Sequence, residues 1–445
     1  MVLMSKSIFN KNIIVRIYSI LIKYPLIFSI IVFAIWSSII FITGQLTSPL
    51  KGDEDDYLAL GILTSMNGVI ALNDGYRPPL LILIISAISK VLSDNNLIIF
   101  VRLFNLFFIS IIPGIWLLVS KSFYKKNNPY IIMAFISSIY YPFYFFGSSI
   151  HAEAISILGL NVLIIETLDF YKSDKLNLTY YIKKSIICGF IISALFLTKA
   201  NNILVAPVCI FIILLSHNLS LVNRLYSILF IILSVFILSL PWILFLHNSL
   251  GEYKLTTTGG YNFLVGTGYY SFGMADNLDK SVLPIKYIIS QNKFHNTPDG
   301  PSALSIEDDK KLYNTSNTLE TDNISLKISK NIWSTKTHEQ IIHGFLKILH
   351  SIGFSLRGWS DYIVLSFTFI VISCSLYCAY NKLYFEVINF HWMLAISGFL
   401  IAFVFLPNIR FKTFYFDSSG LLVISFAISL FVNKISNKYL YNQEN

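Results

Sequence analysis

Apolar runs close to twenty residues long recur along this chain, and no other feature limits its folding so strongly. A helix rises about 1.5 Å per residue, so such a run crosses the roughly 30 Å hydrocarbon core of a bilayer. Inside that core each backbone N–H and C=O must find its partner within the protein, which a helix provides from its own segment. Ten runs are read as spans: residues 25–43, 97–119, 130–147, 154–170, 185–197, 203–215, 226–246, 362–380, 385–405 and 414–432, of which 185–197 and 203–215 are the shortest at thirteen residues. Charge is scarce to match, at 13% of 445 residues, where a soluble domain carries about a quarter. The pattern predicts an all-α polytopic membrane protein with about ten transmembrane helices. It argues against a disordered chain and an ordinary soluble enzyme. Lys and Arg fall between the spans rather than on one stripe, so no nucleic-acid partner is expected.

The surplus of 33 Lys and Arg over 24 Asp and Glu orients these spans. Lys6, Lys11, Arg16 and Lys23 precede the first run, which places the N-terminus in the cytoplasm. No small-residue cleavage site follows that run, so it is expected to be retained as a span. The run at 80–92 decides the parity of everything after it. It is short for a crossing and suits a re-entrant or interfacial juxtamembrane helix on the outer face. Lys121, Lys125 and Lys126 then lie inside, as do Lys172, Lys175, Lys183, Lys184, Arg224, Lys382, Lys434 and Lys438. The expectation is a multi-pass plasma-membrane protein with both termini cytoplasmic. Its parts are a membrane module at 1–246 with a first outer loop at 44–96, a larger extracytoplasmic loop region at 247–360, and C-terminal transmembrane helices at 361–445.

Cysteine and histidine carry little chemistry here. Cys188, Cys209, Cys374 and Cys378 all lie in apolar runs, and His338, His343 and His350 lack the spacing of a helical zinc pair. No Walker or GxGxxG loop is present, so no nucleotide site is expected, and no cofactor or metal is required.

The first outer loop holds four consecutive carboxylates in Gly52-Asp53-Glu54-Asp55-Asp56-Tyr57. Such a run suits a helix N-terminus, with no further role implied. It is followed by Gly75-Tyr76-Arg77-Pro78-Pro79-Leu80, where the prolines fit the first turn of the short helix and leave Arg77 at the membrane boundary. Arg102, Lys199 and Arg410 also sit on the outer side, against the charge rule, and Glu153 lies at the same level. A cation in the hydrocarbon costs roughly 2.5–3.5 kcal/mol at a span centre and less near its end, so it usually has a partner or a task. Snorkelling to lipid headgroups is the alternative for each.

A membrane-held phosphate donor is a substrate that needs such an arrangement. With a polyprenyl-phosphate sugar, the lipid phosphate leaves with cationic stabilisation and the acceptor hydroxyl needs one positioned base. The activated sugar arrives in the lipid, which accords with the absent nucleotide loops.

Asp53-Glu54-x-x-Tyr57 followed by Arg77-Pro78-Pro79-Leu80 resembles the signature of the GT-C glycosyltransferases related to protein O-mannosyltransferases and the lipid A aminoarabinose transferase. The resemblance continues in order through Arg102-Leu103-Phe104-Asn105, Glu153, Leu197-Thr198-Lys199, Pro241-Trp242, the loop from Thr256 to Gly266, and Arg410-Phe411. It implies a GT-C-like fold and an inverting transfer of sugar to a glycan, lipid or protein acceptor on the extracytoplasmic face. It further implies Asp53 as catalytic base with Glu54 beside it. Arg77, Arg102 and Lys199 would bind the donor phosphate, and Tyr57 and Glu153 would contact substrate. Gly259, Gly260 and Asn262 would shape a covering loop, although on their own the glycines need only mark a turn. Tyr76 stands where aminoarabinose transferases have an acidic residue, and Val265-Gly266-Thr267 lacks their usual Asn, so neither that sugar nor a metal is carried over. An outer-face polysaccharide polymerase or ligase, and a lipid-linked saccharide flippase, are the competing readings.

Overall fold

The structure is a computed structural model that describes residues 23–92, 94–121, 128–172, 178–216, 219–267, 318–352, 359–382, 384–405 and 412–444. Among these residues every regular element is helical. The first half comprises α1 (Pro25–Ile42), α2 (Asp53–Asn67), α3 (Pro79–Ser89), α4 (Asp94–Lys121), α5 (Pro129–Ile139), α6 (Tyr141–Gly147), α7 (Glu153–Lys172) and α8 (Leu178–Thr198). After these come α9 (Val205–Leu215), α10 (Leu221–Leu250), α11 (Gly259–Gly266), α12 (Thr318–Thr335), α13 (Thr337–Ser351), α14 (Trp359–Tyr380), α15 (Phe385–Val404) and α16 (Ser418–Glu444). Local signals set several boundaries. Proline opens α1, α3 and α5, where its missing N–H is not needed. Ser220 caps α10 by accepting from the Asn223 N–H, and Gly251 closes that helix at φ 75°.

Among the described residues, seven helices are long and apolar enough to cross a membrane: α1, residues 96–121 of α4, α8, α10, residues 362–380 of α14, α15, and the segment Lys412–Ile435. The pair α5 and α6, bent by 55° at Tyr140, makes an eighth. Pro142 explains the break, because it cannot donate to the Ser138 carbonyl and its ring crowds the preceding turn. The protein is thus a polytopic helical membrane protein, and among the described residues seven or eight of the ten expected spans are long and apolar enough to cross. The two remaining are α7 and α9. The first carries Glu153, Glu166 and Asp169, matched by Lys199 at 2.8 Å from Glu153 and by Lys184 at 2.5 and 2.9 Å from the other two. The second has only eleven residues and is extended by a 3-10 turn over Ala200–Leu204.

Eleven residues in α3 give a length of about 16 Å, half of the hydrocarbon thickness. This short helix is packed by α2: Leu81, Ile82 and Ile85 are fully buried, and a Cβ at Gly61 of α2 would collide with Ile85. Two apolar clusters organise the bundle. The larger joins α1 and α4–α9 with α15 and α16. The smaller joins α2, α3, the start of α4, Ile150, Ala152 and the Trp242–Leu246 end of α10, and it supports the charged loops. Helices α1 and α4 run antiparallel. Lys121 donates to the Lys23 carbonyl at one end (3.1 Å), while Arg102 reaches the Gln45–Ser48 turn at the other. Near the C-terminal helices, the Lys347 amine of α13 donates to the carbonyls of Gly266 (2.7 Å) and Phe405 (2.8 Å) and so ties two helix ends together.

The antiparallel pair places residues 53–56 and Lys121 at opposite ends of the bundle. With a cytoplasmic N-terminus, Asp55→Cys should react with an impermeant maleimide added to intact cells, and Lys121→Cys only after permeabilisation. Reaction of Lys121→Cys from outside would reverse the orientation.

Candidate functional site

The carboxylate run begins α2, where the positive end of the helix dipole favours negative side chains. Helical spacing then divides it. Asp53 and Asp56, three residues apart, share one face. Arg77 closes on them from the turn before α3, its Nη2 lying 2.8 Å from Asp53 Oδ1 and 2.8 Å from Asp56 Oδ2. Its guanidinium also lies over the rings of Tyr57 (5.3 Å to the centroid) and Tyr76 (4.7 Å). Tyr76 donates its hydroxyl to Asp56 Oδ2 at 3.3 Å. Burial, followed by the Asp56 and Asp53 carboxylates, raises the Tyr76 phenol above its ordinary range against the opposing pull of Arg77. Tyr76 therefore remains a donor at neutral pH. The cluster is partly open, with side-chain exposures of 20% for Arg77, 33% for Asp53 and 41% for Asp56.

Glu54 faces the opposite way and is buried. Its carboxylate accepts from the N–H groups of Lys51 (3.1 Å) and Ile150 (2.8 Å) and pairs with Arg102 at 3.1 Å. Arg102 is 1% exposed. Its Nε and Nη2 bind Glu54, and its Nη1 binds the carbonyls of Gln45, Leu46 and Ser48 at 3.2, 3.0 and 2.8 Å. A guanidinium has five N–H donors, and these contacts engage all three nitrogens that carry them. Arg102 therefore stands apart from the open cluster, as does Glu54. Asn105, three residues along α4, donates to the carbonyls of Ser149 (2.8 Å) and His151 (3.2 Å). The Arg-Leu-Phe-Asn stretch thus ties both loops to one helix.

Glu153 and Lys199 meet at 2.8 Å, joining the start of α7 to the end of α8. Glu153 is 5% exposed and Lys199 26%. Asn202 braces the turn after Lys199 by donating to Ser156 Oγ at 2.9 Å and to the Leu195 carbonyl at 3.1 Å. Ile150 lies on Glu54 and precedes Glu153 by three residues, so this pair borders the same end of the bundle as the Asp53 cluster.

The threonine-glycine loop is stitched to the Arg77 turn. Thr257 donates from its N–H to the Gly75 carbonyl (2.9 Å) and from its hydroxyl to the Asp74 carbonyl (2.8 Å), and Thr256 donates to the Gly75 carbonyl (3.1 Å). Beyond it, Asp322 of α12 accepts from the N–H of Gly260 (2.5 Å) and of Tyr261 (3.3 Å), capping α11 from a neighbouring helix. Lys254 holds the other Asp322 oxygen at 2.9 Å. A Cβ at Gly260 would collide with the Asp322 carbonyl, so this glycine answers a close helix packing. A Cβ at Gly259 would meet open space, and Asn262 is exposed. These three residues lie just beyond the threonines that hold the Arg77 turn.

Asp56, Tyr76 and Asp322 take part in these contacts, although nothing in the sequence assigned them a role. A further buried pair, Lys412 with Asp417, lies in the last span, and the second Asp417 oxygen accepts from the Tyr140 hydroxyl at 2.7 Å. Two charges five residues apart in an apolar run are a signal for this pair. Arg410, noted in its place, lies outside the described residues. Among the described residues no three His, Cys, Asp or Glu side chains gather as a metal ion would require.

Removing one partner of a buried ion pair costs about 3–5 kcal/mol, because the other charge is left uncompensated. Glu54→Gln should accordingly lower the thermal unfolding midpoint in detergent far more than Asp53→Asn, whose side chain is one-third exposed. Equal midpoints would show that the Glu54–Arg102 pair does not hold the loops.

No protein-family model matches this chain and no curated protein matches it, so the chemistry of the site itself is what bears on function.

Proposed function

We propose that the protein is an integral membrane glycosyltransferase that moves a sugar from a polyprenyl-phosphate carrier to an acceptor hydroxyl on the extracytoplasmic face. The observation that carries this reading is Arg77, held between Asp53 and Asp56 in a partly open, aromatic-walled cluster at the head of a helix too short to cross the bilayer. This reading takes Asp53 as the base and Arg77, 2.8 Å away, as the cation that binds a lipid-borne phosphate. Arg77 Nε is buried without a hydrogen-bond partner among the described residues, a donor suited to a phosphate oxygen. The order of motifs resembling the GT-C glycosyltransferases adds to this support.

In the proposed reaction, the donor phosphate draws Arg77 away from Asp53. The released carboxylate accepts the proton of the acceptor hydroxyl, whose oxygen bonds to the anomeric carbon. The bond from that carbon to the phosphate oxygen breaks, and the polyprenyl phosphate leaves with the electron pair. Arg77 and Lys199 stabilise the charge that develops on it. One displacement inverts the anomeric centre. Glu153 orients Lys199, while Tyr57 offers a ring wall to the sugar. Glu54 and Arg102 hold the loop in place without touching substrate. A membrane lipid environment completes the site.

Asp53→Asn should reduce transfer by about a hundredfold or more, the usual contribution of a general base, while the protein still inserts and folds. The measurement is transfer from labelled polyprenyl-phosphate sugars in proteoliposomes, and near-full activity would sink Asp53 as the base. Arg77→Ala and Lys199→Ala should raise the KM for donor. Mass spectrometry of surface glycans from cells with and without the protein would identify the product, and identical glycans would count against the reading.

A further inference from the structure

The last span opens with two charges that lipid alone would not tolerate. The Lys412 and Asp417 side chains are 1% and 3% exposed and pair within a π-helical turn over Lys412–Asp417. In an α-helix, residues five apart point about 140° away from each other, whereas a π-turn brings them to one face. The ion pair and the wider turn therefore depend on each other. Lys412 also lies 4.8 Å from the ring centroid of Phe367 and 5.2 Å from that of Phe416, so aromatic faces share its charge.

Two side chains carry this turn to the site. Tyr140, at the break between α5 and α6, donates to Asp417, and α6 leads on to Ile150 and Glu153. Tyr415, in the middle of the turn and fully buried, donates its hydroxyl to the Asn201 carbonyl at 2.7 Å. Asn201 follows Lys199 by two residues in the 3-10 turn that Lys199 precedes as its N-cap, and its neighbour Asn202 is fixed to Ser156, one turn along α7 from Glu153. The contacts run without a gap from the buried charges to the outer cation.

We infer that the π-turn at Lys412–Asp417 is a positioning element for Lys199, with Tyr415 as the residue that transmits its geometry. The chemical meaning of this role rests on the glycosyltransferase reading; the mechanical coupling does not. Neither Lys412, Asp417 nor Tyr415 touches substrate in it. They fix where the Lys199 ammonium stands relative to Glu153.

Hydrogen exchange and transfer kinetics on the full-length protein in nanodiscs test both parts. Tyr415→Phe deletes one hydroxyl and should speed amide exchange over residues 199–204 about threefold or more, the worth of one hydrogen bond, leaving α1 and α4 unchanged. Asp417→Asn should do the same; if it fails to insert, Tyr415→Phe decides alone. With labelled polyprenyl-phosphate sugar as the probe, Tyr415→Phe should raise the donor KM about three- to tenfold at nearly constant kcat. The Lys199→Ala/Tyr415→Phe double variant should be no worse than Lys199→Ala, because both changes act on one group. Unchanged exchange over 199–204, or a Tyr415→Phe effect that persists in full without Lys199, would overturn the inference. Faster exchange in a protein whose wild type transfers no sugar would remove the enzyme reading and leave the coupling standing.

Discussion

Burying a carboxylate and a guanidinium is unfavourable unless each finds its full set of partners. Glu54 and Arg102 meet that condition, and the geometry of the charged end of the bundle follows from it. Glu54 can reach Arg102 only if α2 starts at Asp53, since it must fold back on Lys51 while facing away from solvent. That helical start turns Asp53 and Asp56 outward toward Arg77. Arg102 draws in the carbonyls of the turn after α1, and the Ile150 N–H brings the loop before α7 to the same carboxylate. One buried pair thus sets the register of two loops and the start of a helix. The open cluster is what remains on the other face.

Several features were legible in the sequence for simple reasons. Hydrocarbon thickness selects apolar runs, so the spans of α1, α4, α8, α10, α14, α15 and the last segment could be read from length and composition. Leu80 to Leu92 was too short to cross, and α3 has only eleven residues. Asp53 and Arg77 could be paired because opposite charges stood in one loop. Whether α7 crosses was less legible, because it carries three carboxylates whose partners lie on α8 or just beyond it, and hydropathy does not register such pairing.

Arg102 shows where charge reading stops. Its depth marked it as a residue with a task, but sequence cannot count how many of its donors the fold engages, and the fold engages every nitrogen. Lys412 and Asp417 escaped notice because a spacing of five has no common face in an α-helix. Asp322 lies 62 residues beyond the Gly260 amide it caps, so local patterns hold no trace of the contact. Where opposite charges stand on one loop and stay partly exposed, as Asp53 and Arg77 do, sequence position suggests the contact. Where a residue acts through buried geometry, the partner must be known first.

The 55° break at Tyr140 has a consequence for how force passes through the bundle. Pro142 frees the Ser138 carbonyl, and Trp36 of α1 donates to it from its indole nitrogen at 2.9 Å. The adjacent Ser137 carbonyl accepts from the Tyr144 hydroxyl at 3.2 Å. Trp36 and Tyr144 in turn stack with ring centroids 4.2 Å apart. In hydrocarbon no water could replace either donor, so straightening the bend would strand polar groups at a cost of several kcal/mol each. These contacts brace the kink as a bracket between α1, α5 and α6 rather than leaving it a free hinge.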